Sequence, residues 1–208
     1  MNKISSAKIN KYYDQHIDQF GFSAEGVGWK NEKAQRDRFH VLTKIIDKPI
    51  FSINDLGCGT GAFYDFLLLN GYRSFSYSGY DILEQMISFA KKSHQNLPDV
   101  WFKRIENAHE METADYCVAS GIFSLQYDCP NEDWAMYILN TLSAMNKCST
   151  SGFAFNMLTS YSDTDKTNPE LYYANPTFIF DYCMKNFSRK VALLHDYEQY
   201  DFTILVKK

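Results

Sequence analysis

Short apolar segments of two kinds alternate along most of the chain. In one kind, apolar residues recur at three- and four-residue steps, as Phe39, Leu42 and Ile45 do, which predicts a helix. In the other kind, a short apolar run stops at Gly, Asn or Asp, which predicts a buried strand. The predicted helices cover residues 31–47, 62–70, 82–92, 132–145 and 176–186. The predicted strands cover residues 50–53, 74–80, 100–105, 116–119, 152–157, 190–194 and 202–206.

The order of these segments predicts the layout of a sheet. Strand–helix–strand repeats favour parallel strands with right-handed crossovers and helices on both faces of the sheet. The last two strands, 190–194 and 202–206, are joined by a link too short for a crossover helix, so we expect them to pair antiparallel. We therefore predict an α/β fold with a doubly wound, mostly parallel seven-stranded sheet and an antiparallel strand at its C-terminal end.

Composition excludes several classes of protein. The 208 residues are 45% hydrophobic and 22% charged, which is typical of a packed globular chain rather than a disordered or fibrous one. The net charge of −4 has the wrong sign for binding nucleic acid mainly by neutralising phosphates. No apolar run approaches the roughly 18 residues of a membrane span, and residues 1–10 do not begin a signal peptide.

The five cysteines are scattered along the chain and form no Cys-x-x-Cys pair. This spacing argues against a disulfide framework and against a zinc site, and it fits a reducing compartment. We therefore expect a cytoplasmic protein that has no metal site and that has neither a nucleic-acid nor a membrane partner.

Aromatic residues make up 16% of the chain, and several tyrosines are clustered: Tyr12, Tyr13, Tyr161, Tyr172 and Tyr173. A ring with a polar tip suits the wall of a small-molecule pocket. It suits the edge of a core equally well, so both interpretations stay open.

A glycine-rich loop carries the main chemical signal. Segment 55–61, Asp-Leu-Gly-Cys-Gly-Thr-Gly, follows a predicted strand and begins a predicted helix. At such a position Gly57 allows a tight turn, Gly59 lets a ligand approach bare backbone, and Gly61 lets the helix pack closely on the strand. Asp81 ends the next strand, near the spacing at which a carboxylate binds both hydroxyls of a ribose. The alternative role for Asp81 is to cap the following helix.

Two ligands compete for this loop. The looser dinucleotide pattern, in which helix amides receive a pyrophosphate, is also satisfied, so NAD stays open. Asp55 directly precedes the loop and would face that pyrophosphate unfavourably. The same carboxylate can meet the positively charged amino-acid end of S-adenosylmethionine (SAM), directly or through water. Asp55 and the terminal antiparallel strand therefore favour SAM.

Segment 55–61 resembles motif I of the class I SAM-dependent methyltransferases, usually written D-x-G-x-G-x-G, and the order of elements from about residue 50 onward resembles their Rossmann-like fold. By this resemblance, segment 55–61 lines the methionine moiety, Asp81 binds the ribose hydroxyls and Ile82 packs on the adenine ring. Asn107 would accept a hydrogen bond from the adenine amino group, where the family often has Asp, and the Ala108 amide would meet a ring nitrogen. The implied cofactor-binding residues are Asp55, Gly57, Cys58, Gly59, Gly61, Asp81, Ile82, Asn107, Ala108 and Ser120.

Two further assignments follow from the resemblance. Segment 120–123, Ser-Gly-Ile-Phe, resembles the family's turn after the fourth strand, whose backbone borders the cofactor and whose side chains border the acceptor. Arg38 would neutralise the SAM carboxylate, and its alternative role is an exposed ion pair with Glu32 or Asp37.

The two ends of the chain are similar to a little-characterised bacterial group of small methyltransferases that carry an N-terminal helical cap. The shared features are Gly28, Trp29, Gln35, Arg38, Phe39, the run 172–176 and the run 195–197. This resemblance implies a single domain, 1–208, in which a helical cap, 1–48, precedes a SAM-binding core, 49–208.

The resemblance implies transfer of a methyl group from SAM, which leaves S-adenosylhomocysteine (SAH). This reaction is an in-line displacement at a reactive sulfonium, so aligning the reactants supplies much of the acceleration. His16 is the candidate general base, because an imidazole titrates near neutrality. Phe123, Asn156 and Tyr161 lie on segments that we expect to border the acceptor.

The acceptor is only loosely constrained. No [Asp/Asn/Ser]-Pro-Pro-aromatic sequence, as found in amino-methylating enzymes of nucleic acids and glutamine, follows the fourth strand. With the acidic charge, this absence favours a small-molecule acceptor methylated on oxygen or nitrogen. The alternatives are a protein acceptor, a non-catalytic SAM-binding regulatory module and, in third place, an NAD-dependent oxidoreductase.

Overall fold

The computed structural model describes residues 3–163, 165 and 167–208, and within this part of the chain seven strands form one sheet. The strands are β1 (Phe51–Leu56), β2 (Phe75–Asp81), β3 (Val100–Arg104), β4 (Ala114–Ala119), β5 (Ser149–Leu158), β6 (Lys190–Leu194) and β7 (Asp201–Lys207). The helices are α1 (Lys3–Phe20), α2 (Glu32–Leu42), α3 (Ala62–Leu69), α4 (Glu84–Ser93), α5 (Asn131–Cys148) and α6 (Pro176–Asn186).

The sheet has the order β3-β2-β1-β4-β5-β7-β6, and β7 runs antiparallel to both of its neighbours. The predicted doubly wound sheet with an antiparallel C-terminal strand is therefore confirmed. The chain winds outward in two directions from β1 and β4, which are neighbours. At such a switch point the loops leaving two adjacent strands separate and open a crevice at their carboxyl ends.

Alternating side chains of the sheet bury two faces. Along β5, Phe153 and Phe155 pack in a core with Trp134 of α5, whereas Ala154 packs in a second core. The second core includes Phe63 of α3. Helices therefore cover both faces of the sheet, as predicted. In the described residues, no helix combines the length and the apolar character that crossing a membrane requires.

Two predicted helices extend beyond the observed ones by two residues or more at one end. The helix predicted over 31–47 ends at Leu42 and continues as a short 3-10 helix, Thr43–Ile45, because the Thr43 hydroxyl donates to the His40 carbonyl. The helix predicted over 82–92 begins only at Glu84. Both changes lie at ends, where side chains hydrogen-bond the backbone and replace the regular pattern.

Candidate functional site

A cavity of about 360 Å³ opens where the loops leaving β1, β2 and β4 meet. This volume falls within the range of roughly 300–1,000 Å³ found for small-molecule sites. Backbone from the glycine loop forms its floor, and segment 27–30 and α1 cover it. The lining residues from the loops after β1, β2 and β4 are Asp55, Leu56, Gly57, Cys58, Gly59, Thr60, Asp81, Ile82, Leu83, Ser120, Gly121 and Ile122.

Two glycines of the loop differ in the space beside them: an added side chain would clash at Gly57 but not at Gly59. Gly57 has φ +78°, and a Cβ added there would lie 2.1 Å from Cγ2 of Ile122. Gly59 has φ +52°, and an added Cβ would meet only Cγ1 of Val27, at 3.8 Å. Gly57 is therefore needed for packing, whereas Gly59 leaves bare backbone facing free space inside the cavity.

Asp55 is a buried acid at the end of β1, with 3% of its surface exposed. The Tyr77 hydroxyl donates to its Oδ2 at 2.5 Å. Burial raises the pKa of Asp55 to about 7; the Tyr77 hydrogen bond opposes this rise and the charge of Asp81 adds to it. Near neutral pH the side chain can therefore exchange between a neutral acid and a carboxylate.

Asp81 joins the ends of β1 and β2. Its Oδ2 accepts from the Gly59 amide at 2.9 Å, and its Oδ1 accepts from the Leu83 amide at 2.9 Å. Burial raises the pKa of Asp81, and the backbone amides oppose the rise. The Leu83 bond closes a local turn before α4, so Asp81 lies outside the helix and does not cap it.

The turn after β4 is held by a buried polar chain. The Gly121 amide donates to Asn156 Oδ1 at 3.0 Å, and Asn156 Nδ2 donates to Asp201 Oδ2 at 2.9 Å. The same Asp201 oxygen accepts from Arg38 Nε. Among the described residues, Ser120 Oγ is buried in this turn without a hydrogen-bond partner.

Arg38 is buried, with 7% of its surface exposed, and it does not form the exposed pair with Glu32 or Asp37 that was its alternative. Its charge is balanced by Asp201, and its guanidinium carbon lies 4.5 Å from the centre of the Trp29 ring. Arg38 also lines the cavity, so its contact with a ligand carboxylate stays a prediction.

Among the other predicted cofactor residues, Cys58 is buried in the loop, and burial raises its thiol pKa. Asn107 and Ala108 do not line the cavity. The Asn107 side chain caps a 3-10 turn, Ala108–Glu110, by accepting from the His109 amide at 3.0 Å. Their contacts with an adenine ring stay predictions.

The predicted acceptor and catalytic residues are spread out. Phe123 is buried in the core around α5, and Asn156 lies behind the turn after β4. Tyr161 is 67% exposed, and His16 on α1 hydrogen-bonds the Tyr12 carbonyl at 2.9 Å. None of these four side chains lines the cavity, so the structure does not bring them together around it.

Sequence analysis missed several residues that do line the cavity. Tyr12 and Tyr13 line it, as the tyrosine clusters had suggested, but Tyr137 of α5 had not been singled out. Glu170 had not been singled out either, because it lies in a loop without periodicity. Tyr77 lies outside the lining but holds Asp55, and it carried a usable signal, since a tyrosine inside a buried strand needs a partner for its hydroxyl. In the described residues, no group of three His, Cys, Asp or Glu side chains could hold a metal ion.

Comparison with known proteins gives one clear relative. No protein-family profile matches the chain. The chain is 45% identical over 158 residues to Rv1506c from Mycobacterium tuberculosis (strain ATCC 25618 / H37Rv). That protein is named as an inferred methyltransferase. The matched region is 76% of this chain and 93% of the relative.

Solved structures share the fold at low sequence identity. Magnesium protoporphyrin IX methyltransferase from Synechocystis PCC 6803, with bound SAH, matches with a TM-score of 0.68 at 13% identity over 98% of this chain and 100% of that chain. Human N-acetylserotonin methyltransferase, in complex with SAM, matches with a TM-score of 0.58 at 15% identity over 98% of this chain and 65% of that chain. At such identities the likeness concerns the fold alone.

The buried pair of Arg38 and Asp201 yields a stability prediction. Replacing Arg38→Met leaves a carboxylate that is only 2% exposed without its ionic partner, which costs about 3–5 kcal/mol. The matched control is Arg36→Met, on the exposed side of the same helix, which we expect to change the free energy of unfolding by less than about 0.5 kcal/mol. Urea denaturation measures both values, and equal losses in the two variants would contradict the prediction.

Proposed function

The chain belongs to the class I methyltransferase family, and we propose that it transfers a methyl group from SAM to the oxygen or nitrogen of a small molecule. The observation that carries this proposal is the bare backbone at Gly59, framed by two acids inside a cavity. Asp55 precedes this backbone, and Asp81 accepts its amide hydrogen bond. The two acids suit the positive charge and the ribose hydroxyls of a cationic, ribose-bearing ligand, and the bare backbone lets that ligand approach closely.

The residues of the cavity fit SAM. The free space beside Gly59 admits a ligand against the backbone, and Ser120 Oγ is a buried polar atom that lacks a partner among the described residues. A carboxylate has about four lone-pair positions, so Asp81 can accept from two ribose hydroxyls while it holds the Gly59 and Leu83 amides. Apolar side chains at Ile82, Leu83 and Met86 provide a surface for the adenine ring.

We assign the methionine end of SAM to segment 55–61, with Asp55 facing the ammonium group and Arg38 facing the carboxylate. Ser120 lies beside it on the turn after β4. Asn107 and Ala108 stay assigned to the adenine edge, although their side chains lie outside the cavity lining.

Bound SAM supplies an electrophilic methyl group on a sulfonium. The chain supplies alignment: the glycine loop fixes one end of the ligand, and Asp81 fixes the other. Segment 27–30 and α1 line the cavity beside the glycine loop and reduce its opening to solvent. For an acceptor that must lose a proton, His16 stays the proposed base: its Nδ1 donates to the Tyr12 carbonyl, which leaves Nε2 to take the proton, and the side chain would have to move into the cavity to act.

The size of the cavity supports a small acceptor rather than a protein or nucleic acid, because about 360 Å³ must hold SAM and open onto the acceptor.

All five cysteines are free thiols. Free thiols are typical of reducing compartments, so the cytoplasm is the proposed location.

The proposal predicts which ligand binds and which glycine matters. Calorimetric titration should detect binding of SAM and SAH but not of NAD. The variant Gly59→Ala places a methyl group in the ligand's space and should weaken SAH binding roughly tenfold or more. Gly71→Ala is the matched control, because Gly71 also has positive φ, at +88°, with nothing within 4 Å of an added Cβ, and it ends α3 away from the cavity.

Both alanine variants should lose about 1–2 kcal/mol of stability to backbone strain, so a stability effect alone cannot separate them. Unchanged SAH affinity in Gly59→Ala, or binding of NAD in preference to SAH, would overturn the proposed function.

The raised pKa of Asp55 predicts how binding depends on pH. Below about pH 7 the free side chain holds a proton, which must leave before the carboxylate can face the ammonium group of SAH. Affinity should therefore rise with pH, by about tenfold between pH 6 and pH 7.5, and SAH binding at pH 6 should release a proton to the buffer.

Calorimetry in two buffers of different ionisation enthalpy measures this proton release. The control is Asp55→Asn, which keeps an oxygen to accept the Tyr77 hydrogen bond but cannot titrate. Its affinity should not vary with pH over the same range. A wild-type affinity that is also constant would remove the ammonium contact from Asp55.

A further inference from the structure

The cavity extends beyond the residues assigned to SAM. The lining residues that this assignment leaves over, which we call the acceptor end, include Ile9, Tyr12 and Tyr13 of α1, Tyr137 of α5, and the leucines Leu125 and Leu171. These side chains present three phenol rings and three aliphatic groups. An aromatic ring fits such a wall better than a polar sugar or a peptide backbone does.

Two loops that form this wall are joined by backbone contacts. The amides of Gln126 and Tyr127 both donate to the Glu170 carbonyl, at 3.0 and 2.8 Å. Leu125 and Leu171 pair in an antiparallel bridge beside them. The two leucines and Glu170 therefore line the cavity from two loops that are hydrogen-bonded to each other.

Two hydroxyls at this end lack a partner. Among the residues that the structure describes, no group hydrogen-bonds the hydroxyl of Tyr12 or Tyr13. Burial raises the pKa of both phenols, so they stay neutral and can donate or accept. The two hydroxyls are therefore available to hydrogen-bond a polar group of a molecule that binds there.

The charge at this end is negative. Glu170 lines the cavity, and its carboxylate raises the pKa of Tyr12 and contributes to raising that of Tyr127 to about 12. Arg38 pairs with Asp201 and is assigned to the carboxylate of SAM. Lys30, on segment 27–30, also lines the cavity and is exposed. An anionic group would therefore meet repulsion next to Glu170.

From these features we propose that the acceptor is a small ring-bearing amine, with its ring against Tyr12, Tyr13 and Tyr137 and its nitrogen facing Glu170. This inference rests on the proposed function, because it assigns the lining residues that the proposed SAM site does not use. The phenol rings add cation–π attraction for an ammonium group, and the unpaired hydroxyls can bind a substituent of the ring. Before methylation the ammonium must lose one proton, for which His16 is the proposed base, because only the neutral amine has a lone pair with which to form the new N–C bond, with SAH as the leaving group.

Three probes that share one phenol ring test this inference. Tyramine carries an ammonium group, tyrosol a neutral hydroxyl and 4-hydroxyphenylacetate a carboxylate. The three probes are titrated in competition with one another against protein that is saturated with SAH. We expect the highest affinity for tyramine and the lowest for 4-hydroxyphenylacetate. Because Glu170 is exposed, the difference between the two charged probes should be about fivefold.

Glu170→Gln should abolish this difference between tyramine and 4-hydroxyphenylacetate. Glu198→Gln is the matched control, since it removes a carboxylate that is 92% exposed and lies outside the cavity lining, and it should keep the full preference. If SAH binds but tyramine is not preferred, or if the preference survives in Glu170→Gln, the amine inference is overturned and the proposed function stands. If SAH itself does not bind, both are overturned.

Discussion

The hydrogen bond from the Gly59 amide to the Asp81 carboxylate is the contact on which the site depends. It ties the loop after β1 to the end of β2, and it is made by a residue at φ +52°, a left-handed conformation that glycine adopts without strain. The bond keeps Asp81 buried beside Asp55, and the resulting cost of burying two acids appears as raised pKa values for both. A cationic ligand relieves that cost, so the site is arranged to favour a positive charge.

A second set of contacts joins the cover of the cavity to its floor. Trp29 stacks on Arg38, Arg38 pairs with Asp201, and Asp201 holds Asn156, which fixes the Gly121 amide in the turn after β4. Trp29 also lies over Gly121, where an added Cβ would come within 2.6 Å of its ring. The N-terminal segment is therefore part of the site, and it supplies the enclosure that a displacement reaction needs if alignment rather than acid–base chemistry is its main requirement.

The sheet and the glycine loop could be predicted from the sequence because both rest on local patterns. Apolar runs and glycine positions determine them, and each predicted strand lies within or close to an observed one. Contacts between distant segments could not be predicted. Arg38 was assigned to a ligand or to surface acids because nothing local indicates Asp201, and Glu170 lies in a loop whose position depends on pairing with Gln126 and Tyr127. Capping of α4 was the alternative role for Asp81, and a turn of two residues places the helix start beyond its reach.

The central claim is that two acids and a bare glycine backbone bind the adenosyl sulfonium at the carboxyl edge of the sheet. A crystal structure of the protein with SAH tests it most directly. We expect both ribose hydroxyls at about 2.7 Å from the Asp81 carboxylate, with the Gly59 amide still bonded to it and the amino-acid end of SAH beside Asp55. SAH bound elsewhere, or a glycine loop crossed by a side chain of the protein, would contradict the account.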